Sequence, residues 1–301
     1  MSTASAAGPP RRAAVLGHPI AHSLSPALHR AAYRALGLEG WTYDAIDTTV
    51  EDLPGLLGSL DASWAGLSVT MPLKVAVQRY LAHVEPLAEA VGVVNTVLVQ
   101  PGPRIGLVGA NTDVHGIVAA LREAGVGPLA GRRAVVLGGG ATAASAIAAL
   151  GELGAVDPVV VVRSPARAGA TVRAAHRMGV SPRFEASADL AASVPGWRDA
   201  DVVVSTLPPG AADDAAAVLR ATADGPLSGT LLDCAYDPRP TLLAAAWAAS
   251  GGAVVPGERM LLHQAAEQVR LMTGRPAPLA AMDAALAAVF TRRDAGADHL
   301  P

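Results

Sequence analysis

A chain of 301 residues, 51% hydrophobic and only 3% aromatic, has the length for two domains and must build its cores from Ala, Val and Leu. Its formal charge of −3 is not gathered into blocks, which excludes the footprint of nucleic-acid or membrane-surface binding and leaves small-molecule chemistry as the expectation. The single cysteine, Cys234, excludes a disulfide framework within the chain and fits a reducing compartment, the cytoplasm; it reads as a small buried residue at a strand end, not as a nucleophile.

Residues 1–10 read as a loose tail without the apolar stretch of a signal peptide, and residues 294–301 as a second tail. Ala13 to Gly17 reads as a strand, and Pro26 opens a helix running to about Leu36 with Ser25 as its N-cap. Ser23 and Ser25 thus lie beyond the C-terminal end of a strand, the edge where open α/β sheets bind ligands. Capping is the plain alternative for Ser25; Ser23, with no capping duty, is the better hydroxyl-binding candidate. A strand from Trp41 to Ile46, a helix from Val50 to Leu60 and a strand from Gly66 to Val69 follow. Thr70 comes next, Pro72 ends strand pairing, and Lys74 falls near the start of a helix, against its dipole. Most lone lysines are merely solvated, but one so placed is a candidate for proton transfer. Strands from Asn95 to Val99 and from Ile105 to Val108 flank a Pro-Gly-Pro turn, and Asp113 precedes an apolar helix from Val114 to Glu123. Alone, Asp113 reads as a cap; paired with Lys74 it supplies the second charge of a proton shuttle.

Gly125 to Arg132 marks a domain boundary. Beyond it the strand from Ala134 to Leu137 runs into Gly138, Gly139 and Gly140, then Ala141 and an alanine-rich helix. Glycine permits positive φ and close backbone approach, and a helix N-terminus attracts a pyrophosphate, so the turn is a candidate dinucleotide cradle. A plain strand-to-helix turn is the alternative. The next strand, Val156 to Val162, ends without the acid that would bind a ribose 2′-hydroxyl. Arg163, Ser164 and Arg167 stand there instead and suit a 2′-phosphate, favouring NADP over NAD. Strands at Asp201 to Thr206, Thr230 to Asp233 and Ala253 to Val255 alternate with helices at Ala211 to Ala221 and Pro240 to Ser250, continuing a parallel sheet. Leu261, Ala265, Val269 and Met272 have the spacing of a last helix stopped by Gly274, on which Gln264 reads as exposed. The histidines show no metal-ligand spacing, so no metal is expected.

With these segments assembled, the chain resembles the shikimate dehydrogenase family, which reduces 3-dehydroshikimate with NADPH on the route to chorismate. The resemblance runs from Val15 to about Phe290 and rests on HSLSPALH (His22 to His29), VTMPLK (Val69 to Lys74), GVVNT (Gly92 to Thr96), NTD (Asn111 to Asp113), the glycine turn, YDPRPT (Tyr236 to Thr241) and GERMLLHQ (Gly257 to Gln264). It implies two α/β domains: residues 11–120 as a substrate domain with a mainly parallel sheet, completed by helices within 258–291, and residues 121–257 as a Rossmann-like NADP domain. It implies Lys74 and Asp113 as the catalytic pair, with Ser23, Ser25, Thr70, Asn95 and Gln264 holding substrate and Tyr236 lining the same cleft. Gly138 to Ala141, Arg163, Arg167 and Thr206 fall to the cofactor, with Gly257 and Met260 near the nicotinamide. Three positions depart from the family pattern: Ala141 stands where glycine is common, Val162 where asparagine is, and Ser68 where asparagine precedes Val-Thr. A quinate or aminoshikimate dehydrogenase, and a non-catalytic NADP-binding regulator, remain as alternatives. Monomer and homodimer are both open.

Overall fold

The computed structural model describes residues 9–164, 168–222 and 225–295. Arg167 and most of the two expected tails lie outside the described residues. In chain order the strands are β1 Arg12–Gly17, β2 Thr42–Asp47, β3 Trp64–Val69, β4 His83–Val84, β5 Thr96–Gln100, β6 Gly106–Ala110, β7 Ala134–Leu137, β8 Val159–Val162, β9 Arg183–Ala186, β10 Val202–Ser205, β11 Thr230–Asp233 and β12 Ala253–Pro256. The helices are α1 Ser25–Ala35, α2 Leu53–Gly58, α3 Leu73–Ala76, α4 Pro86–Val91, α5 Asp113–Glu123, α6 Ala141–Glu152, α7 Gly169–Arg177, α8 Val194–Trp197, α9 Asp213–Ala221, α10 Leu242–Ala249, α11 Gly257–Thr273 and α12 Leu279–Asp294. The chain divides into two compact units, one of Met1–Ala88, Val94–Thr112 and Leu262–Pro301, the other of Glu89–Val93 and Asp113–Leu261. Helix α5, placed by sequence with the first domain, clusters with the second unit, because its apolar face of Val114, Ile117, Val118 and Leu121 joins the core around α6.

The first unit is an α/β layer on a six-stranded sheet of order β2-β1-β3-β5-β6-β4. Only β5 runs antiparallel to its neighbours, so the sheet is mainly parallel. β3 is buried at all six positions and β1 at all but its first, as strands covered on both faces must be. One face carries Leu16, Leu53, Leu67, Leu73 and Val77. On α1, Leu28, Ala31 and Ala32 are buried at helical spacing, and α12 packs against this helix. The sheet reverses strand order between β1 and β3, so the loops after these two strands flank its switch point.

The second unit is a sheet of six parallel strands in the order β12-β11-β10-β7-β8-β9. Counted from its own first strand, this is the Rossmann order 3-2-1-4-5-6 read from the far edge, with the switch point between β7 and β10. β7, β8 and β10 are buried throughout. Alanines of α6 pack on one face, and Trp197 and Trp247, stacked with ring centroids 6.1 Å apart, fill the other. The short edge strands β4 and β9, with the helices beside them, have no counterpart in the sequence reading. β4 has two residues, and β9 is largely exposed, so neither carries the apolar run that marks a strand.

Candidate active site

In the first unit the loops after β1 and β3 are laced together: the Thr70 N–H donates to the Leu16 carbonyl at 2.9 Å, and the His18 N–H to the Met71 carbonyl at 3.0 Å. This brings the Ser23–Ser25 segment and the Thr70–Lys74 segment to one sheet edge. The sequence assignment of Ser25 as N-cap is corrected: Leu24 is the cap, and Ser25 is the first helical residue, buried and hydrogen-bonded through its hydroxyl to Tyr43. Ser23 takes up the local duty, its Oγ accepting the Ser25 N–H at 3.3 Å. Lys74 lies in a helix of only four residues that continues into a 3-10 turn at Val77–Tyr80, so the dipole argument made for it loses its basis. The backbone at Lys74 is anchored by its neighbour Leu73, which is fully buried, and by its own carbonyl, which accepts the Val94 N–H at 3.0 Å.

Asn95 is buried where β5 begins, beside the end of β6. Its Oδ1 accepts the Thr112 N–H at 2.8 Å and the Thr96 hydroxyl at 2.9 Å, and its Nδ2 reaches Gln264 Oε1 at 3.5 Å. Gln264, expected on the exposed face of its helix, is 7% exposed; tertiary packing has overridden the expectation for a lone glutamine. One turn on, Gln268 was missed by sequence reasoning. Its Oε1 accepts from Ser68 Oγ at 2.8 Å and His29 Nε2 at 3.3 Å, while its Nε2 donates to the Asn95 carbonyl at 3.2 Å and Thr96 Oγ1 at 3.0 Å. Ser68, the departure before Val-Thr, also accepts from the Tyr43 hydroxyl at 2.6 Å. The substrate-side candidates therefore rest on a buried polar lattice, in which the amide of Gln268 is bonded on both sides and, among the described residues, His29 Nδ1 is buried without a partner. A glutamine one turn beyond Gln264 on a helix mostly apolar on that side was the available signal.

His29 stacks on Tyr43 with ring centroids 4.0 Å apart. Burial holds its imidazole, ordinarily near 6.5, down to about 3, against the opposing bond to Gln268. The unfolded chain thus takes up a proton below about pH 6.5 that the folded chain refuses until about pH 3. His29 therefore contributes no penalty above its unfolded value, and stability is lost as pH falls through this window. Urea midpoints at pH 7 and pH 5 should show wild type losing more stability than His29→Phe; equal losses would dismiss the assignment.

In the second unit Gly138 follows β7 with φ +114°, a conformation that side chains rarely adopt, and a Cβ there would lie 2.5 Å from Thr206 Oγ1. Thr206 follows β10 and donates to the Leu137 carbonyl at 2.9 Å, so the glycine turn and Thr206 are fastened together across the switch point. Gly140 caps α6, which begins at Ala141 with no acidic side chain in its first turn. This is a fit to a pyrophosphate: free N–H groups, a positive dipole end and no competing carboxylate. Arg163 is exposed directly after β8 and Ser164 follows it, while Asp157 precedes the strand; no acid stands at the β8 end to hold a 2′-hydroxyl.

At the end of β11, Asp233 is buried, its carboxyl pushed up by desolvation and steadied by Thr241 and Ser205. Thr241 donates to Asp233 Oδ2 at 2.6 Å and caps α10 by accepting the Ala244 N–H at 3.0 Å. Between them runs the loop carrying Tyr236, beside a cavity of about 290 Å³ that Asp233, Tyr236, Arg239 and Glu258 help to line. Cys234 is partly buried against the core, as a small apolar residue. Asp113 is buried as the first residue of α5; of the expected catalytic pair, it belongs to the second unit and Lys74 to the first. Among the described residues no group of His, Cys, Asp or Glu is arranged to hold a metal, and no helix is long and apolar enough to cross a membrane.

Comparison with known proteins decides the family. The model of the shikimate dehydrogenase substrate binding domain matches residues 15–97, and that of the shikimate 5'-dehydrogenase C-terminal domain matches residues 257–287. A shikimate dehydrogenase (NADP(+)) of Citrifermentans bemidjiense is 39% identical over 290 residues, covering 94% of this chain and 97% of its own length. The chain belongs to the shikimate dehydrogenase family. The crystal structure of Mycobacterium tuberculosis shikimate dehydrogenase is 45% identical with a TM-score of 0.79, covering 93% of this chain and 100% of that one. A shikimate 5-dehydrogenase from Thermus thermophilus, in complex with NADP(H) and shikimate, is 35% identical with a TM-score of 0.75, covering 91% of this chain and 98% of that one. The two-sheet α/β architecture of this chain is thus that of the shikimate dehydrogenase family.

Proposed function

We propose that this protein catalyses the reversible NADPH-dependent reduction of 3-dehydroshikimate to shikimate. The observation that carries the reading is near-full-length similarity to shikimate dehydrogenases (NADP(+)) joined to a Rossmann switch point built from Gly138 and Thr206. Bound at that switch point, NADPH supplies the hydride, which is the hard chemistry. The chain's own residues do the rest. Gly138, Gly139, Gly140 and Ala141 present backbone N–H groups to the pyrophosphate. Arg163, with Ser164 and Arg167, holds the 2′-phosphate. Gly257 and Met260 border the nicotinamide.

Ser23, Ser25, Thr70, Asn95, Gln264 and Tyr236 hold the substrate hydroxyls and carboxylate, supported from behind by Gln268 and Ser68. Lys74 gives up its proton to the oxygen of the carbonyl as it becomes an alkoxide, and Asp113 accepts from the neighbouring substrate hydroxyl. The first unit, Met1–Ala88, Val94–Thr112 and Leu262–Pro301, forms the substrate domain, and the second unit forms the NADP domain. A cytoplasmic enzyme of this kind needs no further cofactor. Steady-state reduction of NADP and of NAD with shikimate and with quinate tests this directly: turnover should be greatest with shikimate and NADP. Absence of any substrate-dependent NADPH formation would overturn it, and preference for quinate would move the protein to a sister activity.

A further inference from the structure

The first turn of α11 carries two adjacent charged residues, Glu258 and Arg259, between Gly257 and Met260. Each is committed to a different segment of the second unit. Glu258, 4% exposed, accepts from Arg239 Nε at 2.5 Å, and among the described residues its other carboxylate oxygen is buried without a partner. Arg239 is therefore the counterion of a carboxylate taken out of water, and it lies three residues after Tyr236 in the loop between β11 and α10. Arg259 donates through Nε and Nη2 to the two carboxylate oxygens of Glu123 at 2.9 and 2.6 Å. That bidentate pair, the geometry of the strongest arginine–carboxylate contacts, grips the last residue of the helix that Asp113 begins. Gly257 seats the turn: a Cβ there would lie 2.6 Å from the carbonyl oxygens of Asp233 and Cys234.

We propose that Glu258 and Arg259 are positioning residues, a two-armed clamp that fastens the Tyr236 loop and helix α5 to the helix turn bearing Met260. The inference rests on the roles given above to Tyr236, Met260 and Asp113. Glu258 and Arg259 themselves touch neither substrate nor cofactor in this scheme. Removing one partner of an ion pair is costly where it leaves the other charge buried, but the Arg239 side chain is 45% exposed and keeps its water, so the clamp separates from a plain stability role: Glu258→Leu should hold Tm near wild type while loosening the loop. Misplacement on the scale of an ångström costs up to about 10²-fold in turnover. The expected result for Glu258→Leu is a kcat lowered about 10-fold or more, KM for NADP near wild type, and faster amide exchange confined to residues 234–241. Glu258→Gln, which keeps an acceptor for Arg239, should recover most of the loss.

Should Glu258→Leu fail to fold, Arg259→Gln reads the other arm, since its partner Glu123 stays partly in water; the same drop in kcat at unchanged Tm is expected, with faster exchange at the end of α5. Unchanged kcat and unchanged exchange in the folded variants would overturn the clamp. If wild type itself lacks activity with shikimate, the proposed function fails, and the exchange comparison still decides whether the clamp exists.

Discussion

Lys74→Ala is expected to lower kcat by about 10²- to 10⁴-fold, the range contributed by a positioned acid–base group, while leaving NADP affinity near wild type. The fold should survive the change. Alanine favours the short helix α3, the buried anchor Leu73 is untouched, and the backbone bond from the Val94 N–H to the residue 74 carbonyl does not depend on the side chain. Unfolding midpoints within about 0.5 kcal/mol of wild type, as for ordinary surface substitutions, are expected. An interaction made only in the transition state lowers kcat and kcat/KM together, whereas a lost binding contact raises KM alone. Steady-state kinetics with shikimate and NADP, beside a direct NADP titration, read this distinction. Full turnover in the variant would remove Lys74 from the mechanism.

Gly138→Ala is expected to strike the other half of the reaction. Its φ of +114° strains any side-chain-bearing residue by about 1–3 kcal/mol, and the new Cβ would overlap Thr206 Oγ1 at 2.5 Å. Thr206 Oγ1 escapes only by surrendering its side-chain bond to the Leu137 carbonyl, which leaves the Thr206 N–H as the one bond to that carbonyl across β7 and β10. NADP affinity should fall by at least about 10-fold, equal to about 1.4 kcal/mol, together with a lower Tm. Gly140→Ala is the informative contrast. It has φ −90° and open space where its Cβ would stand, so Tm should hold, and any loss of NADP binding there measures how closely the phosphates approach the backbone. Fluorescence titration of NADPH against the three proteins makes the comparison; wild-type affinity in Gly138→Ala would show that the turn is no cradle.

How much of this was legible in the residues depends on range. The strand at 134–137, its glycines and the alanine-rich helix are a local pattern, in which each residue's preference agrees with its neighbours', and the structure keeps those boundaries within a residue or two. The absence of an acid after Val162 is likewise a matter of position in a strand. The helix starts fared worse. Ser25 looked like a cap because Ser-Pro commonly begins a helix, yet the chain enters the helix one residue earlier and uses the hydroxyl to meet Tyr43. Lys74 looked dipole-opposed because no sequence signal shows that its helix lasts four residues.

Gln264 and Gln268 mark the limit most clearly. By themselves they are polar residues on an amphipathic helix, which solvent would take. They are buried because α11, late in the chain, supplies the polar groups that Asn95, Thr96, Ser68 and His29 need once strands β3 and β5 and helix α1 have removed those residues from water. Sequence alone therefore determined the fold class and the reaction, through short-range preferences and motifs that resemble one family in their order. The support behind the site, the strand order that makes Gly138 and Thr206 neighbours, and the ion pairs at Glu258 and Arg259 were decided only by tertiary structure, because a buried polar group is stable only beside its partner, and the partners lie as far apart as 239 residues in the chain.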